Sequence, residues 1–145
     1  MGSKLFNTAA NFRVMREICG ITQQQAADAM GVRILTVKRW EKGETPLPDR
    51  ALAWMRECAV EHTLGVRTEL GEIMAKAGPG EAICLTYYRT QEQADMDAEL
   101  HGAEAGPYQF INAVYRSVGE RLTDMGYLVS FKYPDEERRE VKRAD

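Results

Sequence analysis

The chain has no uninterrupted apolar run of about eighteen residues, the length a membrane-spanning helix needs, so no span and no membrane partner are expected. Its first residues lack the apolar stretch of a secretory leader, which makes the expected location cytoplasmic. Cysteine is scarce. Cys19, Cys58 and Cys84 are odd in number, far apart and include no CxxC pair, which argues against a disulfide framework. Cys58 and His62 stand four apart on one side of an expected helix, but two ligands do not make a site and nothing nearby completes it. No metal and no cofactor are therefore expected. Internal repeats and low-complexity segments are absent as well. Net charge is small, −3, and as a sum it argues against a polyanionic partner.

What is present is an ordinary globular composition, 44% hydrophobic and 28% charged, which favours a packed core over disorder. The length of 145 residues suffices for one medium domain or two small ones. The charge is unevenly spread. Residues 1–48 carry seven Lys and Arg against four Asp and Glu, a balance of +3, which leaves −6 on residues 49–145. A basic head joined to an acidic body suits a chain that meets phosphate at one end only.

Local signals divide the chain further. Asn7 or Thr8 can cap a first helix whose apolar face is Phe12, Met15 and Cys19, and Gly20 ends it. Thr22 caps a second helix, Gln23 to Met30, which Gly31 stops after two turns. A third runs from about Ile34 to Lys42 and closes at Gly43. Thr45-Pro46-Leu47-Pro48 reads as extended, because proline disfavours helix in the residue before it. Asp49 caps a fourth helix, expected to break near Gly65 or Gly71 and to end near Lys76. Gly78-Pro79-Gly80 is the strongest internal punctuation. After it come a strand over Ala82–Arg89, a helix capped by Thr90 and running to about Leu100, and a flexible stretch to Pro107. An amphipathic helix over Tyr108–Met125 and a strand over Tyr127–Tyr133 follow, the helix with Phe110, Ile111, Val114, Tyr115, Val118 and Leu122 on one side. The two strands either pair with each other beneath the last helix or extend a sheet across a dimer, since two strands alone make a marginal sheet.

The informative stretch is Arg16–Gly43, REICGITQQQAADAMGVRILTVKRWEKG. Two short helices joined by a tight turn let the second protrude, as a helix must to enter a DNA groove. Ala26 and Ala27 are small where those helices approach, and Met30, Val32, Val37 and Trp40 have the spacing to close a core. Met15, Arg16, Gly20, Thr22, Gln23, Ala27, Gly31, Val32, Val37, Trp40, Glu41 and Gly43 stand in the register of the Cro/C1-type (XRE) helix-turn-helix family, which this segment resembles. The resemblance implies a sequence-specific, DNA-binding transcriptional regulator, a repressor or autoregulator, acting as a homodimer on an inverted repeat, and not an enzyme. It implies base reading by Arg33, Leu35, Thr36 and Arg39, phosphate binding by Gln23, Lys38 and Lys42, and a structural ion pair between Arg16 and Glu41. Arg39 is the leading base reader, because a guanidinium can grip guanine with two bonds. Three positions depart from the family pattern. Arg33 stands where a capping serine is common, Ile34 and Leu35 are apolar where polar readers are common, and Ala26 replaces a leucine. Leu35 can meet thymine methyl groups or pack on the protein.

The expected fold is mainly α with a small β component. It comprises a five-helix-type helix-turn-helix domain at 1–62, a helical connector at 63–80, a β-α-α-β dimerisation or partner-binding unit at 81–134, and a charged tail at 135–145. Through Leu85-Thr86-Tyr87-Tyr88-Arg89 and the flanking helices, the second half loosely resembles YdiL-like prophage regulators, including anti-CRISPR-associated repressors. Two other readings stay open: an antitoxin-type protein whose second half binds a protein partner, and a ligand sensor with Tyr87, Tyr88, Arg89, His101 and Arg116 lining a pocket. His101 lies near Asp95, Asp97, Glu99 and Glu104, but without a nucleophile this cluster is no catalytic site.

Overall fold

The computed structural model describes residues 8–136, and they divide into two compact units with the boundary between Thr63 and Leu64. Helices dominate, beside one two-stranded sheet. No helix among the described residues is long and apolar enough to cross a membrane.

The first unit contains α1 (Ala9–Ile18), α2 (Gln23–Met30), α3 (Ile34–Lys42) and the first half of α4 (Asp49–Lys76). Side chains set the starts of the first two helices. Thr8 Oγ1 accepts the Asn11 N–H at 3.0 Å. Thr22 and Gln25 form a reciprocal capping box, at 3.0 and 2.9 Å. Gly31, at φ 67°, ends α2 in the left-handed region, and a Cβ there would meet nothing within 4 Å. Backbone conformation, not space, therefore requires glycine at this turn. Phe12, Cys19, Ala26, Ala27, Val37, Trp40, Leu52 and Met55 are buried, and Phe12 meets Trp40 edge to face at 6.2 Å. Met30 and Val32, expected in this core, are only half-buried.

Four helical segments make up the described residues of this unit, and α4 runs unbroken to Lys76. Neither Gly65 nor Gly71 has a positive φ or interrupts it. Gly65 instead permits close packing. A Cβ there would stand 3.3 Å from a Val114 methyl, so the missing side chain lets the helix at Val114 approach the backbone. Nor does Asp49 precede the helix. It is the first helical residue, where the Pro48 carbonyl accepts the Ala51 and Leu52 N–H groups and the Asp49 carboxylate sits in the first turn.

The second unit takes the rest of α4, then β1 (Ala82–Thr86), α5 (Gln91–Leu100), α6 (Tyr108–Asp124) and β2 (Leu128–Lys132). The stretch expected as a connector supplies Val66 and Leu70 to its core, with Leu85, Val114, Val118, Leu122 and Tyr127. β1 and β2 pair in parallel, Ala82 opposite Leu128 through Thr86 opposite Lys132. Both strands are shorter than their sequence patterns. Tyr87 gives one last N–H to the Lys132 carbonyl at 2.9 Å, and the backbone at Tyr88 then turns to a side chain of α6. Asn112, 4% exposed, accepts the Tyr88 N–H at 2.9 Å and donates to the Tyr88 carbonyl at 2.8 Å. Asn112, Ala113 and Gly119 are buried in addition to the expected apolar side of α6. Of the charged tail expected at 135–145, only residues 135 and 136 lie within the described residues.

Candidate nucleic-acid interface

The helix α3 has two unlike faces. Val37 and Trp40, three residues apart, point into the core at 0% and 4% exposure. Leu35, Lys38, Arg39 and Lys42 follow one another at helical spacing on the opposite side, and all four are exposed. Arg33, just before the helix, is exposed as well, and Thr36 is half-buried. Arg33, Lys38, Arg39 and Lys42 make no ion pair among the described residues. Three cations on one short helix, and a fourth just before it, therefore stand with their charge uncommitted. Leu35, at 51% exposure, does not pack into the core, whereas Ile34 is half-buried. Arg33 occupies the cap position in extended conformation and makes no side-chain cap bond, so no side chain takes up the first-turn N–H groups.

The remaining charge of α3 points inward and is neutralised. Glu41, with its side chain 3% exposed, takes a forked contact from Arg16 of α1. Arg16 Nε donates to Glu41 Oε2 at 2.7 Å and Nη2 to Oε1 at 2.8 Å. Arg16 Nη1 donates to the Ile21 carbonyl at 2.9 Å, which ties the same guanidinium to the turn before α2. Such forked pairs fix orientation as well as charge. The pair thus spans α1, the turn and α3, and keeps a carboxylate from opposing the cationic stripe.

Gln23 opens α2 and joins this network, its Nε2 donating to Glu41 Oε1 at 3.3 Å. That bond is long for an N–H···O contact. Sequence reading missed Arg50, whose Nη1 donates to the Met30 carbonyl at 2.8 Å and satisfies the end of α2. Arg50 and Met30 lie twenty residues apart, so no local pattern announces the contact.

Of the residues weighed for a ligand pocket, Tyr87 and Arg116 meet, Arg116 Nη1 donating to the Tyr87 hydroxyl at 2.6 Å. Tyr87 lines one shallow depression with Phe131 and Tyr133, and Arg116 lines another. Tyr88 is buried and donates its hydroxyl to Asp97, while Arg89 stacks on Tyr133 at 3.8 Å. His101 is exposed, with Nδ1 2.8 Å from the Asp97 carbonyl of its own helix. Cys58 is half-buried and His62 buried, and no group of three or more potential ligands could hold a metal among the described residues.

Burial pushes the Cys19 and Cys58 thiols up to about 11, so almost none of either is thiolate at neutral pH. Cys84 is exposed. A maleimide titration of the folded chain should therefore read one fast thiol, abolished by Cys84→Ser. A second fast thiol in that variant would contradict the burial of the other two.

A family profile described as helix-turn-helix matches residues 12–64. The matched segment runs from Phe12 of α1 into α4, and so contains the α2–turn–α3 pair and the cationic stripe. No curated protein matches the chain. The match supports the Cro/C1-type helix-turn-helix regulators as the family of this segment, and DNA binding in transcription regulation as its activity. It ends before the second unit's sheet and does not reach the resemblance read for that half.

Proposed function

We propose that this protein is a sequence-specific repressor or autoregulator that binds an inverted-repeat operator as a homodimer, with α3 in the major groove. The observation that carries this reading is the stripe Leu35–Lys38–Arg39–Lys42, exposed and free of acidic partners on a helix whose other face is locked into the core. Lys38 and Lys42 meet phosphates, giving salt-sensitive affinity. Gln23 and the start of α2 hold a further phosphate at the positive end of a helix. Arg39 reads guanine, Leu35 meets a thymine methyl group, and Thr36 and Arg33 contact bases at the edge of the footprint. In the dimer, two copies of α3 stand about 34 Å apart, one turn of DNA, or a multiple of it.

Selection of bound sites from a random DNA pool tests the reading. It should return a palindrome with half-sites spaced by whole helical turns, and a pool that never converges would sink it. Arg39→Ala should weaken binding to the selected site by about 1–3 kcal/mol and relax one base-pair preference. Lys42→Ala should weaken binding to every sequence alike and lower the salt slope by about one. Equal losses on cognate and random DNA for Arg39→Ala would take the base-reading role from that residue.

A further inference from the structure

A two-stranded parallel sheet is an unfinished object. It has two open edges, and parallel pairs normally sit inside larger, covered sheets. The two edges here are unlike. Leu85 of β1 and Phe131 of β2 are register partners, yet Leu85 is 5% exposed and Phe131 42%. The core therefore closes over β1 and stops short on the outer side of β2.

We propose that this outer edge of β2 is where a second copy of the chain docks. The two β2 strands then pair antiparallel about a two-fold axis through Ser130 and complete a four-stranded sheet, β1–β2–β2–β1. The proposal deepens the regulator reading, resting on its homodimer and naming the surface that makes it.

Backbone polarity limits the register. Leu128 gives its N–H to Glu81, and Lys132 accepts from Tyr87, so residues 128 and 132 face β1, and Ser130 with them by alternation. Val129 and Phe131 then present their N–H and C=O groups to the other edge, where no strand pairs among the described residues. A two-fold axis through Ser130 sets Val129 opposite Phe131 of the partner subunit and Phe131 opposite Val129 of the partner subunit. Both pairs are hydrogen-bonded pairs and both place apolar side chains on the helix side of the sheet.

Charge complementarity supports the same axis. Arg116, Glu120 and Asp124 of α6 line the groove beside Val129 and Phe131, four residues apart and so on one stripe. The groove floor is Gly119, where a Cβ would stand 2.7 Å from the Phe131 ring, so the middle of this stripe lies beside the middle of β2. Rotation about Ser130 reverses the stripe against itself. Arg116 then faces Asp124 of the partner subunit, and the contact repeats by symmetry. A stripe of one sign would repel its copy, whereas this one, cationic at one end and anionic at the other, attracts it.

The test uses the full chain carrying Cys84→Ser, without DNA. Ser130→Cys under oxidised glutathione should give a disulfide-linked dimer in high yield, because Ser130 and its copy would form a non-hydrogen-bonded pair, whose Cα atoms lie about 4.5 Å apart, within disulfide range. Leu128→Cys should not link to itself but should link to Lys132→Cys when the two chains are mixed. In sedimentation, Arg116→Asp and Asp124→Arg should each weaken the dimer at least about tenfold, and their combination should recover it. A dimer whose Ser130→Cys form does not cross-link, or no recovery on charge exchange, overturns the proposal. So does a monomer that dimerises only after residues 137–145 are removed, since the chain's own end would then occupy the edge. Because DNA is absent, failure here alongside a selected operator leaves the DNA reading standing. A cross-linked dimer that selects no operator is the reverse case.

Discussion

Glu41→Ala should destabilise the first unit by about 3–5 kcal/mol, the cost of leaving a desolvated guanidinium without its counter-charge. The size follows from burial. The Arg16 and Glu41 side chains are 11% and 3% exposed, so water cannot replace the lost carboxylate. Arg16→Ala should cost a similar amount, because it strands Glu41 and also frees the Ile21 carbonyl. Replacing both by apolar residues of similar volume, Arg16→Met with Glu41→Leu, should recover most of the loss, since neither charge then has to be desolvated. The measurement is unusually clean because both tryptophans, Trp40 and Trp54, lie in the first unit and all six tyrosines lie in the second. Urea unfolding followed by tryptophan emission therefore reports the first unit alone. A loss under about 1 kcal/mol in Glu41→Ala would mean that the pair is solvated and worth no more than a surface contact. A stable double variant that still binds its operator would separate the pair's structural role from recognition.

The second large effect belongs to Asn112. Its carboxamide satisfies both the N–H and the C=O of Tyr88, at 2.9 and 2.8 Å, just where the chain leaves β1. Asn112→Ala removes both of these bonds from the Tyr88 backbone, at about 1–3 kcal/mol each, and should destabilise the second unit by about 2–5 kcal/mol. Tyrosine near-UV circular dichroism follows that unit, and hydrogen exchange at the Tyr88 amide locates the damage. Asn112→Asp adds a sign test. A protonated carboxyl can accept from Tyr88 N–H and donate to its C=O, but an ionised one can only accept, and it is buried. The new group's folded pKa therefore lies above its unfolded value. Stability is retained below the unfolded pKa and lost as pH rises through the folded one. Flat stability across that range, or unchanged protection of the Tyr88 amide in Asn112→Ala, would show that the turn after β1 is held by something else.

The first unit was easily read because its signals are local. Thr8, Thr22 and Gly31 act within a few residues of where they stand, so α1 and α2 begin, and α2 ends, where the chain pattern places them. The cationic side of α3 was equally visible, since Val37 and Trp40 assign the inward face and leave Lys38, Arg39 and Lys42 to the other. Gly65 misled for the opposite reason. Its use is a close approach by Val114, forty-nine residues away, and a lone glycine in an apolar pattern reads as a break when its neighbour is unknown. Asn112 was overlooked for a similar reason, being a polar residue among apolar ones whose two partners belong to a distant turn.

The order of residues was enough to determine the helix-turn-helix, its inward and outward faces, and the excess of positive charge on the first unit. Those follow from capping, glycine conformation and helical periodicity, which act over a turn or two of chain. Tertiary packing alone decided that the second half of α4 belongs to the second core, that β1 and β2 run parallel, and that the core leaves Phe131 half uncovered. Each depends on which distant groups share a dry interior, and burial is a property of the assembled chain rather than of any segment of it.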